Sequence, residues 1–231
     1  IAWGKSLNAG QTCIAPDYLL VHAEVKERLI EALKKEFEHL LGKNPQEAKH
    51  FVRIVSDKAF DRLTGYLKDG NVRIGGTYDR KERYIHPTVL DGVKEDSPIM
   101  QEEIFGPLFP LLTFNTTDEA IEFVNRREKP LALYYFGENG DNIRRVLRHT
   151  SSGGACINDT IMHIANENLP FGGVGNSGMS SYHGRESFRV FSHQRAVVTT
   201  PTWLDLPFRY MPYKFFGMVK RVLLKYLMIV L

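Results

Sequence analysis

Apolar residues recur at helical spacing in one long segment near the start of the chain. Over Glu24–Leu41 they fall every three or four residues, and the helix-ending residues Gly42 and Pro45 follow. The spacing predicts an amphipathic helix over these residues. The run Tyr18–Val21, directly before it, is rich in apolar residues and predicts a buried strand.

The same alternation of short apolar runs and amphipathic segments continues through the middle of the chain. It predicts helices over 56–67, 117–127 and 141–149, and strands over 72–74, 88–90, 108–114, 131–136 and 155–158. Strands that alternate with helices of about ten residues are typical of an α/β domain. We therefore predict an α/β fold with a largely parallel sheet.

The pattern changes after Pro170, where several glycines precede a β-rich run over 190–200. We predict a thiol-bearing α/β domain over 1–188, a β arm over 189–201 and an apolar, basic tail over 202–231. Two interpretations of the arm stay open. It completes a sheet in a neighbouring subunit, which would give a homodimer, or it is an edge strand of its own domain.

The tail over 213–231 is apolar and aromatic but is interrupted by lysine and arginine. Its last apolar run, Tyr226–Leu231, is far shorter than the roughly 20 residues that a membrane span needs. The tail is either a basic amphipathic segment that contacts a membrane surface or a helix that packs on its own domain.

Composition excludes several classes of function. Hydrophobic residues make up 43% and charged residues 25% of the 231 residues, and the net charge is only +3, so neither disorder nor nucleic-acid binding is predicted. Two cysteines and scattered histidines predict no disulfide framework and no metal site.

A reducing compartment is expected, either the cytoplasm or the cytosolic face of an intracellular membrane. The first residues have no secretory signal, and we expect that the chain starts within a longer protein.

Cys13 is the first candidate for chemistry. It ends the run Gly10–Cys13, after a short helix-like segment and before a predicted strand, which places it on a loop at a sheet edge. A free thiol has a pKa of about 8.5, so a nucleophilic cysteine needs a site that activates it. A small buried hydrophobic residue is the alternative for Cys13. We expect Cys156 to be an inert buried thiol.

Three motifs in succession resemble those of the aldehyde dehydrogenase superfamily. They are Gly10-Gln11-Thr12-Cys13, Gln101-Glu102-Glu103-Ile104-Phe105-Gly106-Pro107 and Leu169-Pro170-Phe171-Gly172-Gly173 with Ser177-Gly178. A later stretch, Tyr182-His183-Gly184 with Phe188 and Phe191-Ser192-His193, is similar to the class 3 branch, which includes fatty aldehyde dehydrogenases. The resemblance extends to about Arg209.

The resemblance implies a role for each matching residue. Cys13 would be the thiol nucleophile that attacks the aldehyde. Glu103 would hold the nicotinamide ribose of NAD, since a carboxylate accepts hydrogen bonds from two hydroxyls, and Phe105 would flank the nicotinamide. NADP is an open alternative to NAD. Without the resemblance, Glu103 would be interpreted as a solvated charge and Phe105 as a core residue.

Three further residues are expected to shape the active site. Asn158 would form structural hydrogen bonds near the floor of the site, with a strand-ending turn as the alternative. Phe171 and Gly172 would shape the substrate entrance, with a tight turn as the alternative.

The implied activity is oxidation of medium-chain, long-chain or other apolar aldehydes to carboxylic acids through a cysteine thiohemiacetal and thioester. A non-redox thiol esterase or acyltransferase and an inactive oligomerisation or scaffold fragment are the alternatives. The family's general-base glutamate and oxyanion asparagine precede the catalytic cysteine, and this chain has only twelve residues before Cys13. We therefore expect no NAD-dependent turnover from the isolated chain.

Overall fold

A computed structural model describes residues 1–205, 207, 210–213 and 216–227. The chain divides into two compact units, Ile1–Ser192 and His193–Leu231. The first unit contains the predicted α/β domain and extends slightly beyond residue 188, the boundary that the sequence predicts.

The described residues form seven α-helices and eight strands. The helices are α1 (Ala2–Ser6), α2 (Lys26–Leu41), α3 (Asp57–Gly65), α4 (Thr117–Asn125), α5 (Gly140–His149), α6 (Gly184–Val190) and α7 (Phe216–Leu227). The strands are β1 (Leu19–His22), β2 (Asn71–Ile74), β3 (Tyr78–Asp79), β4 (Tyr84–Ile85), β5 (Thr88–Asp91), β6 (Leu108–Phe114), β7 (Ala132–Tyr135) and β8 (Gly154–Ile157).

The main sheet has four strands in the order β1-β6-β5-β2. Strand β6 is parallel to both β1 and β5, and Leu19 of β1 lies opposite Leu111 of β6. Strand β2 is antiparallel to β5 and closes one edge. Strands β7 and β8 form a separate parallel pair, and β3 and β4 form a short antiparallel pair. The predicted α/β fold with a largely parallel sheet is confirmed.

The core lies on both faces of the main sheet because neighbouring strand residues point to opposite sides. Leu108 and Leu90 belong to the core cluster that Phe60 of α3 joins. Phe109 and Val89, each one residue away, belong to the cluster of the amphipathic helix α2. The periodic apolar face of α2 therefore packs on one face of the sheet, and α3 packs on the other.

The predicted β arm is not a strand in this structure. Residues 189–190 end helix α6, and residues 191–200 form neither helix nor strand. Val197 and Val198 are 70% and 88% exposed. The interpretation of the arm as an edge strand of its own domain is therefore wrong. Among the described residues, the arm pairs with no strand of a sheet. Pairing of this arm with a second copy stays a prediction.

The tail contains α7, which belongs to the second unit. Four of its apolar side chains are exposed, namely Phe216, Met218, Val222 and Leu224. The final run of the tail, residues 228–231, lies outside the described residues. No helix in the described part of the chain is long and apolar enough to cross a membrane. Contact of the tail with a membrane surface stays a prediction.

Candidate active site

Cys13 is exposed on a loop between a 3₁₀ turn, Leu7–Gly10, and strand β1. We call residues 10–16 the thiol loop. The chain enters it through three consecutive residues with positive φ, Asn8 at 51°, Ala9 at 52° and Gly10 at 70°. Asparagine and glycine adopt this conformation readily, whereas alanine rarely does, so the turn is held by its surroundings.

The side chain of Gln11 provides part of that support. Its amide nitrogen donates to the carbonyl oxygens of Asn8 and Arg53, both at 3.1 Å. Its amide oxygen accepts from the backbone N–H of Val55 at 2.9 Å. The Gln11 side chain therefore links the thiol loop to the segment that precedes α3.

Two further side chains hold the carbonyl groups that follow Cys13. The hydroxyl of Tyr134 on β7 donates to the carbonyl oxygen of Ile14 at 2.7 Å. The ammonium of Lys5 on α1 donates to the carbonyl oxygen of Pro16, also at 2.7 Å. The backbone beyond Cys13 is thus fixed at two points by residues from different elements.

The thiol loop touches the second motif, residues 101–107, through its backbone. A Cβ built on Gly10 would lie 2.4 Å from the carbonyl oxygen of Gly106. Close by, a carboxylate oxygen of Asp17 accepts from the backbone N–H of Ile104 at 3.0 Å. The first two motifs, which are far apart in the sequence, therefore meet in the fold.

Two carbonyl groups of the second motif are held by a single arginine. The guanidinium of Arg62 on α3 donates to the carbonyl oxygens of Glu103 at 3.1 Å and Ile104 at 2.7 Å. Because guanidinium is planar and has several donors, it fixes both peptide groups at once. Arg62 therefore fixes the backbone of Glu103, whereas no described residue forms a hydrogen bond with its carboxylate.

Three charged residues are coupled near the two loops, namely the buried Lys5, the half-buried Asp17 and the exposed Glu103. Burial lowers the pKa of Lys5 to about 8, and the charges of Asp17 and Glu103 oppose the shift. Burial raises the pKa of Asp17, opposed most strongly by Lys5. Partial burial and the charge of Asp17 raise the pKa of Glu103. These groups interact electrostatically, so the loss of one charge shifts the pKa values of the other two.

Cys13 and Glu103 line the same open cleft, whose volume is about 1470 Å³. Strands β1 and β7, each at an edge of its sheet, also line it. In the described part of the chain, the Glu103 carboxylate makes no hydrogen bond and no ion pair, so both oxygens are free to accept bonds from a ribose. Phe105 is 38% exposed and has a φ of 49°, but it is not among the residues that line the cleft.

Phe171 lies behind the thiol loop. It is 6% exposed and packs with Ile14, the residue after Cys13. The rings of His163 and His183 flank it, each with its centroid 5.8 Å away. A Cβ on Gly172 would lie 2.1 Å from the carbonyl oxygen of Ser180, which requires glycine for a close approach of two backbone segments. The contact joins two segments eight residues apart and is not a tight turn, so the role of Gly172 at the substrate entrance stays a prediction.

Cys156 differs from Cys13 in its surroundings. Its sulfur lies 3.3 Å from Nδ1 of His163. Burial raises the pKa of the Cys156 thiol and lowers the pKa of His163, so both groups are held in their neutral forms. This pair supports the prediction that Cys156 is an inert thiol.

Asn158 follows β8 with a φ of 56°. Its side-chain oxygen accepts from the backbone N–H of Gly137 at 2.8 Å, and its amide donates to the Gly137 carbonyl at 3.1 Å. The side chain therefore joins the ends of β7 and β8, in agreement with a structural hydrogen-bonding role.

Five residues that support the site have no role predicted from the sequence, namely Lys5, Gln11, Asp17, Arg62 and Tyr134, although Gln11 belongs to the first motif. One signal was present in the sequence, since Lys5 stands in an otherwise mostly apolar helical segment directly before the thiol motif. Among the residues that the structure describes, no group of three or more His, Cys, Asp or Glu side chains could hold a metal ion.

Comparison with known proteins identifies relatives over most of the chain. Residues 1–197 match the sequence profile of the aldehyde dehydrogenase family. Aldehyde dehydrogenase family 3 member B1 of Rattus norvegicus is 53% identical over 215 residues, which cover 92% of this chain and 46% of the relative. "Aldehyde dehydrogenase, dimeric NADP-preferring" of Rattus norvegicus is 48% identical over 198 residues, with 86% and 44% covered.

A solved structure with the same fold is the substrate-bound state of Staphylococcus aureus AldH. It superimposes with a TM-score of 0.88 at 48% sequence identity and covers 96% of this chain and 49% of that one. This chain therefore spans about half the length of the curated relatives that it matches.

Proposed function

The chain belongs to the aldehyde dehydrogenase family, and we propose that it supplies the thiol half of an NAD(P)-dependent aldehyde oxidation within a protein of its relatives' length. The observation that supports this proposal most directly is the shared cleft, which the exposed Cys13 and the Glu103 carboxylate both line. The thiol is accessible to a substrate, and the carboxylate is available to a sugar.

In the proposed reaction, the Cys13 thiolate adds to the aldehyde carbon and forms a thiohemiacetal. When bound, the nicotinamide supplies the acceptor for the hydride that leaves this carbon, and the product on Cys13 is a thioester. Water then releases the carboxylic acid and returns the thiol. The hydrogen bonds from Tyr134 to Ile14 and from Lys5 to Pro16 fix the backbone from which the sulfur projects.

Glu103 would accept hydrogen bonds from the two ribose hydroxyls of the cofactor, because neither of its oxygens is engaged by a described residue and Arg62 holds its backbone carbonyl. Phe105 would flank the nicotinamide. Asn158, Phe171 and Gly172 would act from behind the thiol loop or at its margin, as supports for the site.

The substrate, the cofactor and the oligomeric state are finer parts of the proposal. The stretch Tyr182–His193 resembles the class 3 branch, which includes fatty aldehyde dehydrogenases, and this supports a medium-chain, long-chain or other apolar aldehyde as substrate. A relative whose name states that it is dimeric and prefers NADP supports NADP as well as NAD, and a homodimer. The 190–200 arm is the proposed contact of this homodimer, since Val197 and Val198 in it are exposed. We propose that the protein is cytoplasmic. We also propose that its tail contacts the cytosolic face of an intracellular membrane.

The test measures NADH or NADPH formation with an apolar aldehyde, in this chain and in a protein extended to the relatives' length. We expect turnover only in the extended protein, its loss in Cys13→Ala, and its retention in the matched control Cys156→Ala. Turnover that persists in Cys13→Ala would contradict the assignment of the nucleophile. Cys13-dependent ester hydrolysis without NAD(P) reduction would replace the proposal with a non-redox thiol enzyme.

Low-dose iodoacetamide labelling tests the thiol itself without a cofactor. We expect Cys13 to be alkylated faster than Cys156, because Cys13 is exposed and burial raises the pKa of Cys156. Equal and slow labelling of both cysteines in both proteins would favour the inactive scaffold.

A further inference from the structure

We propose that Lys5 is a positioning residue for the reaction: with Asp17 it holds the thiol loop in register with the 101–107 motif that carries Glu103 and Phe105. This inference rests on the proposed function, because it concerns the relative placement of the nucleophile and the ribose-binding carboxylate. Lys5 touches neither substrate nor cofactor in this proposal and acts through the backbone of both loops.

The Lys5 side chain is almost completely buried. The residue is 1% exposed, and its ammonium lies 4.7 Å from the centroid of the Phe109 ring. A buried ammonium is costly unless polar groups compensate it. A long apolar side chain would fill the same space without that cost, so the charge at this position requires an explanation other than packing.

The contacts of the Lys5 side chain supply that explanation. Its ammonium donates to the Pro16 carbonyl oxygen at 2.7 Å, and its Cδ lies 3.2 Å from the position of a Cβ on Gly10. Gly10 and Pro16 are the first and last residues of the thiol loop. The Lys5 side chain therefore contacts the first residue of the loop and donates a hydrogen bond to the last.

Asp17 extends the connection to the second motif. It follows Pro16 directly, interacts electrostatically with Lys5, and accepts a hydrogen bond from the Ile104 N–H at 3.0 Å. Ile104 lies between Glu103 and Phe105 in the sequence. Pro16 of the thiol loop is thus connected to Ile104 of the second motif through Lys5 and Asp17. The connection consists of the Lys5–Pro16 hydrogen bond, the charge interaction between Lys5 and Asp17, and the Ile104–Asp17 hydrogen bond.

The two motifs also contact each other directly, through the backbones of Gly10 and Gly106. The Gly10 and Gly106 backbones are too close for a side chain at Gly10, so neither loop can move toward the other without displacing it. Removal of the charge on Lys5 or Asp17 should loosen both loops together. A residue that only filled the core would not connect them selectively.

The test is hydrogen–deuterium exchange of the folded 231-residue chain, compared with Lys5→Met, Asp17→Asn and their double variant. Lys26→Met is the matched control, because Lys26 pairs with Asp91 at 2.8 Å in a different part of the fold. We expect at least about threefold faster exchange over 10–17 and over 101–107 in both single variants. Exchange over β7 and β8 should not change.

The double variant should exchange no faster than the more affected single variant, since both substitutions break the same connection. In the parent chain, exchange over both loops should accelerate between pH 7 and pH 9.5 by more than the intrinsic exchange rate of amides does. The reason is that Lys5, whose pKa is about 8, loses its charge in this range. This additional change should be absent in Lys5→Met and present in Lys26→Met. In the extended protein, Lys5→Met should lower kcat about tenfold, while Lys26→Met leaves it unchanged.

Faster exchange throughout the domain, or in the thiol loop without the 101–107 motif, would overturn the inference. If Lys5→Met fails to fold, Asp17→Asn tests the same coupling, because it keeps an oxygen acceptor for Ile104 and removes only the charge. Exchange needs neither aldehyde nor cofactor. A negative result therefore refutes the coupling of the loops and leaves the assignment of Cys13 to be judged by turnover.

Discussion

Replacement of Gly10 by alanine tests the contact between the first two motifs. Gly10 has a φ of 70°, and its Cβ would lie 2.4 Å from the Gly106 carbonyl oxygen and 2.8 Å from the Gly106 carbonyl carbon. A left-handed conformation costs an L-residue about 1–2 kcal/mol. A forced shift of packed backbone costs about 1–3 kcal/mol more. We expect a total loss of about 2–4 kcal/mol in the free energy of unfolding, allowing for a small gain from the stiffer unfolded chain.

Gly92→Ala is the matched control for the conformational part. Gly92 has a φ of 68°, and its Cβ would meet only the side-chain nitrogen of Asn71 at 3.2 Å, the end of a side chain that can move. We expect it to cost about 1 kcal/mol. Of these two variants, only Gly10→Ala combines the unfavourable φ with a collision against backbone.

Urea unfolding followed by far-ultraviolet circular dichroism measures both variants. With a slope of about 2 kcal/mol per M, Gly10→Ala should lower the midpoint by about 1–2 M and Gly92→Ala by about 0.5 M. Equal shifts in the two variants would refute the reasoning, because the backbone contact with Gly106 would then contribute nothing.

Other contacts give predictions of the same kind. Burial lowers the pKa of His163, so the unfolded state binds its proton more readily and stability falls as the pH drops below about 6.5. In acid titrations monitored by circular dichroism, His163→Phe should lose this part of the pH dependence, and an unchanged profile would exclude His163 as its source. Asn158→Gly keeps the φ of 56° but removes both bonds to Gly137, so it should cost about 1–2 kcal/mol in urea unfolding, and a neutral result would contradict the bridge. Thr116→Ala removes the hydroxyl that accepts from Glu119 at the start of α4 and should lower stability by about 1 kcal/mol, with Thr117→Ala as a near-neutral control.

Long periodic segments were predicted well from the sequence. Helix α2 ends at Leu41 as predicted, and β6 covers the predicted residues 108–114, because a long apolar period leaves few alternative structures. Strands β3 and β4 have two residues each and give no detectable period. The antiparallel direction of β2 depends on the path of the chain between strands, which local patterns do not encode.

The candidate site, like the fold, could be predicted only in part from the sequence. Motifs identified Cys13 and Glu103 as members of one site, and the structure places both along one cleft. Tyr134 could not be predicted, because its hydroxyl reaches Ile14 across 120 residues of sequence. Lys5 could have been noticed as a charge in an apolar segment, but its connection to Asp17 and Ile104 requires the folded chain.

The open edges of β1 and β7 have a consequence for the behaviour of this chain in solution. Among the described residues each strand is paired on one side only, and unpaired backbone N–H and C=O groups line the cleft between them. Such edges recruit further strands from other molecules, although their length of four residues limits the strength of each contact. We therefore expect concentrated solutions of this chain to aggregate through strand pairing, in a form that a β-sensitive dye reports and that dilution prevents.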